Sequence, residues 1–263
     1  MNEVLLSFLL GLLQGLTEFL PISSSAHLLF PALLFGTGDL GLAFDIAVHS
    51  GTLLAVIYFF RTEIKLMIKS LISRNNNFND NRKLAYLLII ATIPVVVAGL
   101  LGTDFIESNR NSIASIAYMN LLFAGFLLLA YKYSSSSKSL IELTIAGAIF
   151  IGIFQVFALF PGASRSGTAM TAALLIGLNL KDSSKFAFLL AIPTIFGALV
   201  FLIGDMVIYE AQINIISLVV GFLTSCIVAF LTIKYFLIFV EKIGMYPFVI
   251  YRVLLGILLL VLI

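Results

Sequence analysis

Charge is what this chain has least of. Only 11% of its 263 residues are Asp, Glu, Lys or Arg, while 61% are hydrophobic and the mean hydropathy is +1.16. A soluble domain carries roughly a quarter charged residues, so that class is excluded and the chain reads as an integral membrane protein. Polar alternation is missing as well. The apolar segments run continuously over roughly 17 to 22 residues, which excludes a β-barrel and leaves helices as the spanning elements. Cysteine occurs once, at Cys226 inside an apolar run. An internal disulfide is therefore excluded, and Cys226 reads as a small core hydrophobe. The N-terminus begins MNEV, without a basic leader, so the first apolar run is expected to belong to the mature fold rather than to a cleaved signal.

What is present divides the chain into short and long apolar segments. Residues 3 to 19 and 26 to 36 are each too short to cross comfortably and flank a break at Pro21 to Ser25, so they are expected to form a re-entrant helix pair. Residues 143 to 160 and 168 to 180 repeat the pattern around Pro161 and Gly162. Six spans are expected at about 42 to 60, 84 to 101, 113 to 131, 184 to 204, 213 to 233 and 247 to 263. Residues 61 to 83 form a hydrophilic loop, and YKYSSSSKS reads as a flexible connector. The whole is one polytopic domain.

Lysine and arginine orient it. If loop 61 to 83, with Arg61, Lys65, Lys69, Arg74, Arg82 and Lys83, is cytoplasmic, alternation also places Lys132, Lys138, Lys181, Lys185, Lys234 and Lys242 inside. The outer links receive only Arg110. The first broken pair then enters from outside and the second from inside, the mark of an inverted-topology repeat with halves of roughly 1 to 131 and 132 to 263. G-x-x-Q at Gly11 to Gln14 recurs at Gly152 to Gln155, each followed by Phe, Pro and serines. A second echo, KLAYLLIIATI at 83 to 93 against KFAFLLAIPTI at 185 to 195, has a different spacing and implies insertions between the halves.

A charge near the centre of a membrane helix costs roughly 2.5 to 3.5 kcal/mol, so Glu18, His27 and Arg165 are functional candidates. Gln14 and Glu18 share a helix face, as do Ser24 and His27. A hydroxyl beside an imidazole offers a nucleophile and a base. The serines after each break, Ser23 to Ser25 and Ser164 with Ser166, suit helix caps and leave backbone amides for an anion. Gly162 lets the backbone turn closely, and Arg165 adds a fork of donors suited to phosphate oxygens. Because Glu18 would repel a bare anion, it points to a divalent cation, Mg2+ or Ca2+, between carboxylate and phosphate, or to proton transfer. Asp45 and His49, one turn apart, read equally as a supporting pair or as a helix contact. Arg252 either reaches the site or snorkels to a headgroup, the latter being the favoured reading, and Gly147, Gly152, Gly197 and Gly204 read as close-packing positions.

QGLTEFLPISSSAH together with PGASRSG resembles the two signature motifs of the bacterial undecaprenyl-diphosphate phosphatases, and the likeness extends over nearly the whole chain, including Tyr251-Arg252. It implies hydrolysis of a C55 polyprenyl diphosphate to the monophosphate and inorganic phosphate, with a divalent cation, at the outer face of the bacterial cytoplasmic membrane. Such an enzyme recycles the lipid carrier for cell-wall synthesis and confers bacitracin resistance. By position, the likeness assigns catalysis to Glu18, Ser24, His27 and Arg165, metal binding to Glu18, and substrate contacts to Gln14, Ser23, Ser25, Gly162, Ser164, Arg165, Ser166 and Thr168. Gln14 stands where many relatives have a carboxylate, which shifts the metal role onto Glu18. Ala169 stands where the family often has threonine, and Thr168 is displaced from it by about 100° of helix rotation. The expected partners are the lipid substrate and the bilayer, with no nucleic acid and a homodimer left open. The nucleophile stays open among Ser24, His27 and water. The rival reading is a transporter or flippase for the polyprenyl phosphate carrier or another anion, because broken helices in inverted repeats are also a transporter hallmark.

Overall fold

The computed structural model describes residues 2–29, 36, 40–72, 79–103, 108–109, 112–135, 137–208 and 214–262, the side chains of 205–208 excepted. These residues form α1 (Glu3–Thr17), α2 (Ser24–Leu28), α3 (Leu42–Phe59), α4 (Arg61–Ile72), α5 (Asn79–Leu101), α6 (Ile113–Tyr133), α7 (Ile145–Gln155), α8 (Arg165–Leu175), α9 (Leu180–Ile208), α10 (Ile215–Ile243) and α11 (Tyr246–Val261). Among the described residues there is no strand, only an isolated bridge between Lys138 and Leu178. The protein is an all-α, multi-pass membrane protein. Five helices, α3, α5, α6, α9 and α10, have the length and hydropathy to cross a bilayer. The sixth expected span, α11, is a shorter apolar helix of 16 residues.

The boundaries differ from expectation in instructive ways. Residues 61 to 72 are not a loop: Met67 and Ser70 pack against α5 while Lys65 and Lys69 stay outside, and this amphipathic periodicity carries the helix. Arg74, expected on the same side, lies outside the described residues, as do Arg110 and most of the 26 to 36 segment. The serine-rich connector is tied down at its end, where Ser139 and Glu142 form a capping box. The Ser139 backbone N–H and hydroxyl both donate to Glu142 and hold its exposed carboxyl below the usual range. Gly204 has open space where a Cβ would stand, so it is not a close-packing position, whereas Gly147 and Gly152 are.

The second broken pair returns to the side it came from. Lys138, before the pair, exchanges backbone hydrogen bonds with Gly177 and Asn179, after it, at 2.9 and 2.8 Å. At 11 residues α8 would span about 16 Å, roughly half a bilayer core. Nearly all of it is buried among α6, α7 and α9, where protein rather than lipid meets its ends. One face of the molecule gathers the basic links. Lys83 donates to Ile141 O at 2.6 Å, Asp182 accepts from Leu140 N at 2.9 Å, and Lys185 pairs with Glu63 at 3.1 Å. On the opposite face Ser217 donates to Glu3 at 2.9 Å and anchors the start of α1 to α10.

Packing follows an exchange pattern. α1 lies on α10 as α7 lies on α5; α3 lies on α10 as α9 lies on α5; α3 with α9 and α6 with α11 pair across the centre. Gly11 lets α1 approach the Gly221 carbonyl of α10, and Gly152 lets α7 approach the Ala91 carbonyl of α5. Under this pattern α5 corresponds to α10, so the echo between 83 to 93 and 185 to 195 joins non-corresponding helices, α5 and α9, which pack on each other. The first half's additional element is α4. A Cβ at Gly152 would stand 2.5 Å from the Ala91 carbonyl oxygen, while one at Gly125 would meet nothing within 4 Å. Gly152→Ala is therefore expected to destabilise the protein by about 1 to 3 kcal/mol. Gly125→Ala should not, and thermal unfolding of both in detergent checks the contrast.

Candidate active site

Each break ends in a serine with left-handed backbone: Ser23 has φ 73° and Ser164 φ 71°, and among described residues no other non-glycine has positive φ. Such a conformation is costly for a residue with a Cβ and persists only where the surroundings impose it. The two breaks impose it on each other. Ser25 Oγ accepts from the Gly162 N–H at 3.2 Å, and Ser166 Oγ donates to Leu20 O at 2.9 Å. Gly162, at φ 97°, sits so close to Ile116 that a Cβ would collide with its carbonyl. Ser164 caps α8 by accepting from Gly167 N at 3.1 Å, whereas Ser23 makes no side-chain cap.

Arg252 holds this junction. It does not snorkel: it is wholly buried, with Nε donating to Asn120 Oδ1 at 2.8 Å and its terminal nitrogens to the carbonyls of Pro21 at 3.3 Å and of Gly162 and Ala163 at 3.0 Å each. Helix ends and turns leave carbonyls without helical partners, and one guanidinium satisfies those of both breaks.

Above the junction lies a cavity of about 340 Å3, lined on its polar side by Glu18, Ser23, Ser24, Ser25, His49, Gly162, Ser164, Arg165 and Thr194. Arg165 donates to Glu18 Oε1 at 2.9 Å, while Glu18 Oε2 accepts from Gln14 Nε2 and Ser24 Oγ, each at 3.0 Å. The carboxylate and guanidinium are both largely withdrawn from solvent, at 8% and 15% side-chain exposure. A buried pair of this kind is held by its mutual charge and its additional donors together. Val95, Ile195, Ala198, Leu199 and Leu202 form an apolar wall between α5 and α9. These wall residues come from the ends of α5 and α9 that lie away from the basic face.

The expected site residues thus separate by position. Gln14 lies beneath Glu18 and is wholly buried; Ser166 and Thr168 are turned to backbone carbonyls, Thr168 to that of Arg165 at 2.9 Å. Ser24 is hydrogen-bonded to Glu18 rather than directed to His27. His27 stands behind Ser23: Nδ1 donates to the Ser23 carbonyl at 2.7 Å, and Nε2 accepts from the Tyr251 hydroxyl at 2.6 Å, the tautomer following from the carbonyl's being an acceptor only. Tyr251 also stacks on the imidazole at 5.5 Å. Two contributors escaped the sequence reading, Thr194 on the cavity and Asn120 beneath it, while His49, read there as half of a supporting pair or of a helix contact, lies on the cavity wall. Asn120, buried in the apolar α6, carried the signal that a polar group at membrane depth always carries.

Glu18 is the one carboxylate among the residues that line the cavity, and both of its oxygens are engaged. The residue one turn before it is the neutral Gln14, and no group of three His, Cys, Asp or Glu placed to hold an ion occurs among the described residues.

Two broken helix pairs that meet, with an arginine and hydroxyls around a cavity, define a polytopic membrane protein with a polar cavity among its helices. The chain belongs to the bacitracin resistance protein BacA family, whose model matches residues 7–258. It is similar to the undecaprenyl-diphosphatase of Alcanivorax borkumensis, with 45% identity over 256 residues covering 97% of each chain. Those of Saccharophagus degradans, at 46% over 97% of this chain and 96% of the relative, and Colwellia psychrerythraea, at 43% over 95% of each, are similar too.

Lysine in place of Arg252 cannot reach Asn120 and three carbonyls at once. Arg252→Lys is expected to cost about 3 kcal/mol in stability, read by thermal unfolding in detergent, even though the charge is retained.

Proposed function

We infer that the protein is an undecaprenyl-diphosphatase, a hydrolase releasing inorganic phosphate from undecaprenyl diphosphate and leaving the lipid monophosphate. The observation that carries this is the cavity's composition: Arg165, Ser24 and Glu18 are joined by hydrogen bonds at one end of an apolar wall. A diphosphate suits the polar end and an isoprenoid tail suits the wall. Nothing in the comparisons favours the transporter reading.

The geometry supports the following roles. Arg165 exchanges its bond to Glu18 for phosphate oxygens and neutralises charge on the transferred group. Ser24 is the side chain placed for attack on the terminal phosphorus; its proton passes to Glu18 Oε2, to which it already donates. The new serine phosphorus–oxygen bond forms as the bridging bond breaks and the lipid phosphate leaves; water then releases inorganic phosphate and restores Ser24. His27, clamped between Ser23 and Tyr251, fixes the break from behind as a positioning residue. The divalent cation is proposed to arrive on the diphosphate as part of the substrate. The matched element order and packing support an inverted repeat of roughly 1 to 131 and 132 to 263. The basic face supports placement in the bacterial cytoplasmic membrane with the cavity toward the outer side. A homodimer stays a proposal.

Purified protein supplied with undecaprenyl diphosphate and Mg2+ is expected to release phosphate, and Arg165→Ala to lower kcat/KM roughly 100- to 1,000-fold. No release by the wild type would overturn the activity. Acid quenching during turnover should trap phosphoserine at Ser24; phosphohistidine or no adduct would return the nucleophile to His27 or water. Titrating Mg2+ into the substrate-free protein should show no saturable binding below about 1 mM, and a tighter site would contradict a substrate-borne ion.

A further inference from the structure

His49 sits apart from both sequence motifs and yet lines the cavity on the side of α3. Its Nδ1 is committed, donating to the Asp45 backbone carbonyl one turn earlier at 2.8 Å. That bond fixes the ring against its own helix and leaves Nε2 at the ring's outer edge. The ring is partly exposed, in contrast to His27, whose two nitrogens are both engaged and which is not on the cavity wall. Glu18 and His49 are also electrostatic neighbours. On the same cavity, Arg165 has its charge balanced by Glu18. That pair by itself brings no net positive charge to a ligand carrying several negative charges.

The geometry points to His49 as a substrate-binding residue, its Nε2–H donating to a phosphate oxygen of the diphosphate bound in the cavity that Arg165 also lines. The interaction requires the imidazolium, because Nδ1–H is already used on the Asp45 carbonyl and Nε2 must carry the second proton. The groups facing His49 are Glu18 from α1 and Arg165 from α8, with Asp45 on its own helix. α10 brings Cys226 beside Gly51, and α9 contributes the uncharged Thr194. The negative charge of a bound diphosphate favours an imidazolium beside it.

This inference rests on the hydrolase reading and is tested on the same purified protein with undecaprenyl diphosphate and Mg2+. KM and kcat are measured from pH 5.5 to 8.5 for wild type, His49→Gln and His49→Leu, alongside thermal unfolding in detergent. A glutamine amide donates without titrating, whereas leucine cannot donate. The wild-type KM should rise with pH as the imidazolium is lost. His49→Leu should raise KM at pH 6 by roughly tenfold or more, the size of a lost hydrogen bond to a charged group, with kcat changed far less. His49→Gln should recover most of that loss and flatten the pH dependence. An unchanged KM in His49→Leu, or a pH dependence of KM that persists in His49→Gln, would overturn the assignment. If His49→Leu unfolds, the pH profile of His49→Gln decides alone. Absence of wild-type turnover would instead refute the hydrolase reading.

Discussion

The structure depends on one buried guanidinium. Two broken helices can meet inside a membrane protein only if the carbonyls freed at each break find donors, because no water is available at that depth. Arg252 supplies them to Pro21 in the first break and to Gly162 and Ala163 in the second, while Asn120 aligns the fork from α6. Its surroundings in space leave little room: a Cβ at Gly167 would stand 2.9 Å from the same guanidinium. The left-handed serines, the cross-bonded hydroxyls and the cavity above them are consequences of this junction. A charge that costs several kcal/mol to bury is retained because removing it would leave three backbone carbonyls unsatisfied.

Corresponding positions in the two breaks meet this residue in corresponding ways. Gly11 and Gly152, Gln14 and Gln155, Phe19 and Phe160, and Ser23 and Ser164 recur at one constant interval. Pro21 and Gly162, whose carbonyls Arg252 bridges, are separated by that same interval. Arg252 accordingly acts on the relation between the halves rather than on either half.

Much of this was legible in the sequence. Polar residues inside apolar runs marked both breaks, and lysine distribution separated the faces, because each rests on a cost that any membrane segment incurs. The motif residues that form the cavity, Glu18, Ser24 and Arg165, were visible on the same grounds. What stayed hidden depends on three-dimensional pairing. Arg252 near a chain end is indistinguishable in sequence from a snorkelling arginine, since only the position of the breaks decides where its donors go. His49 was visible as a polar residue, but periodicity alone does not say whether its helix turns it to a neighbour or to a cavity. The amphipathic character of α4 was masked by the high charge of its surroundings.

The constant interval also places Leu159 where the first half has Glu18, and Leu159 lines the same cavity. Gln14 donates to its carboxylate one turn on, whereas Gln155, equally buried, has no partner among the described residues for either polar atom of its amide. The second half thus keeps the glutamine of a polar pair without the acid it would serve. With Arg165 standing where the first half has Ser24, these departures give two alike breaks unlike chemistry: one carries the carboxylate and a hydroxyl bonded to it, the other the guanidinium. A cavity built where two similar turns meet therefore presents different groups from each of them.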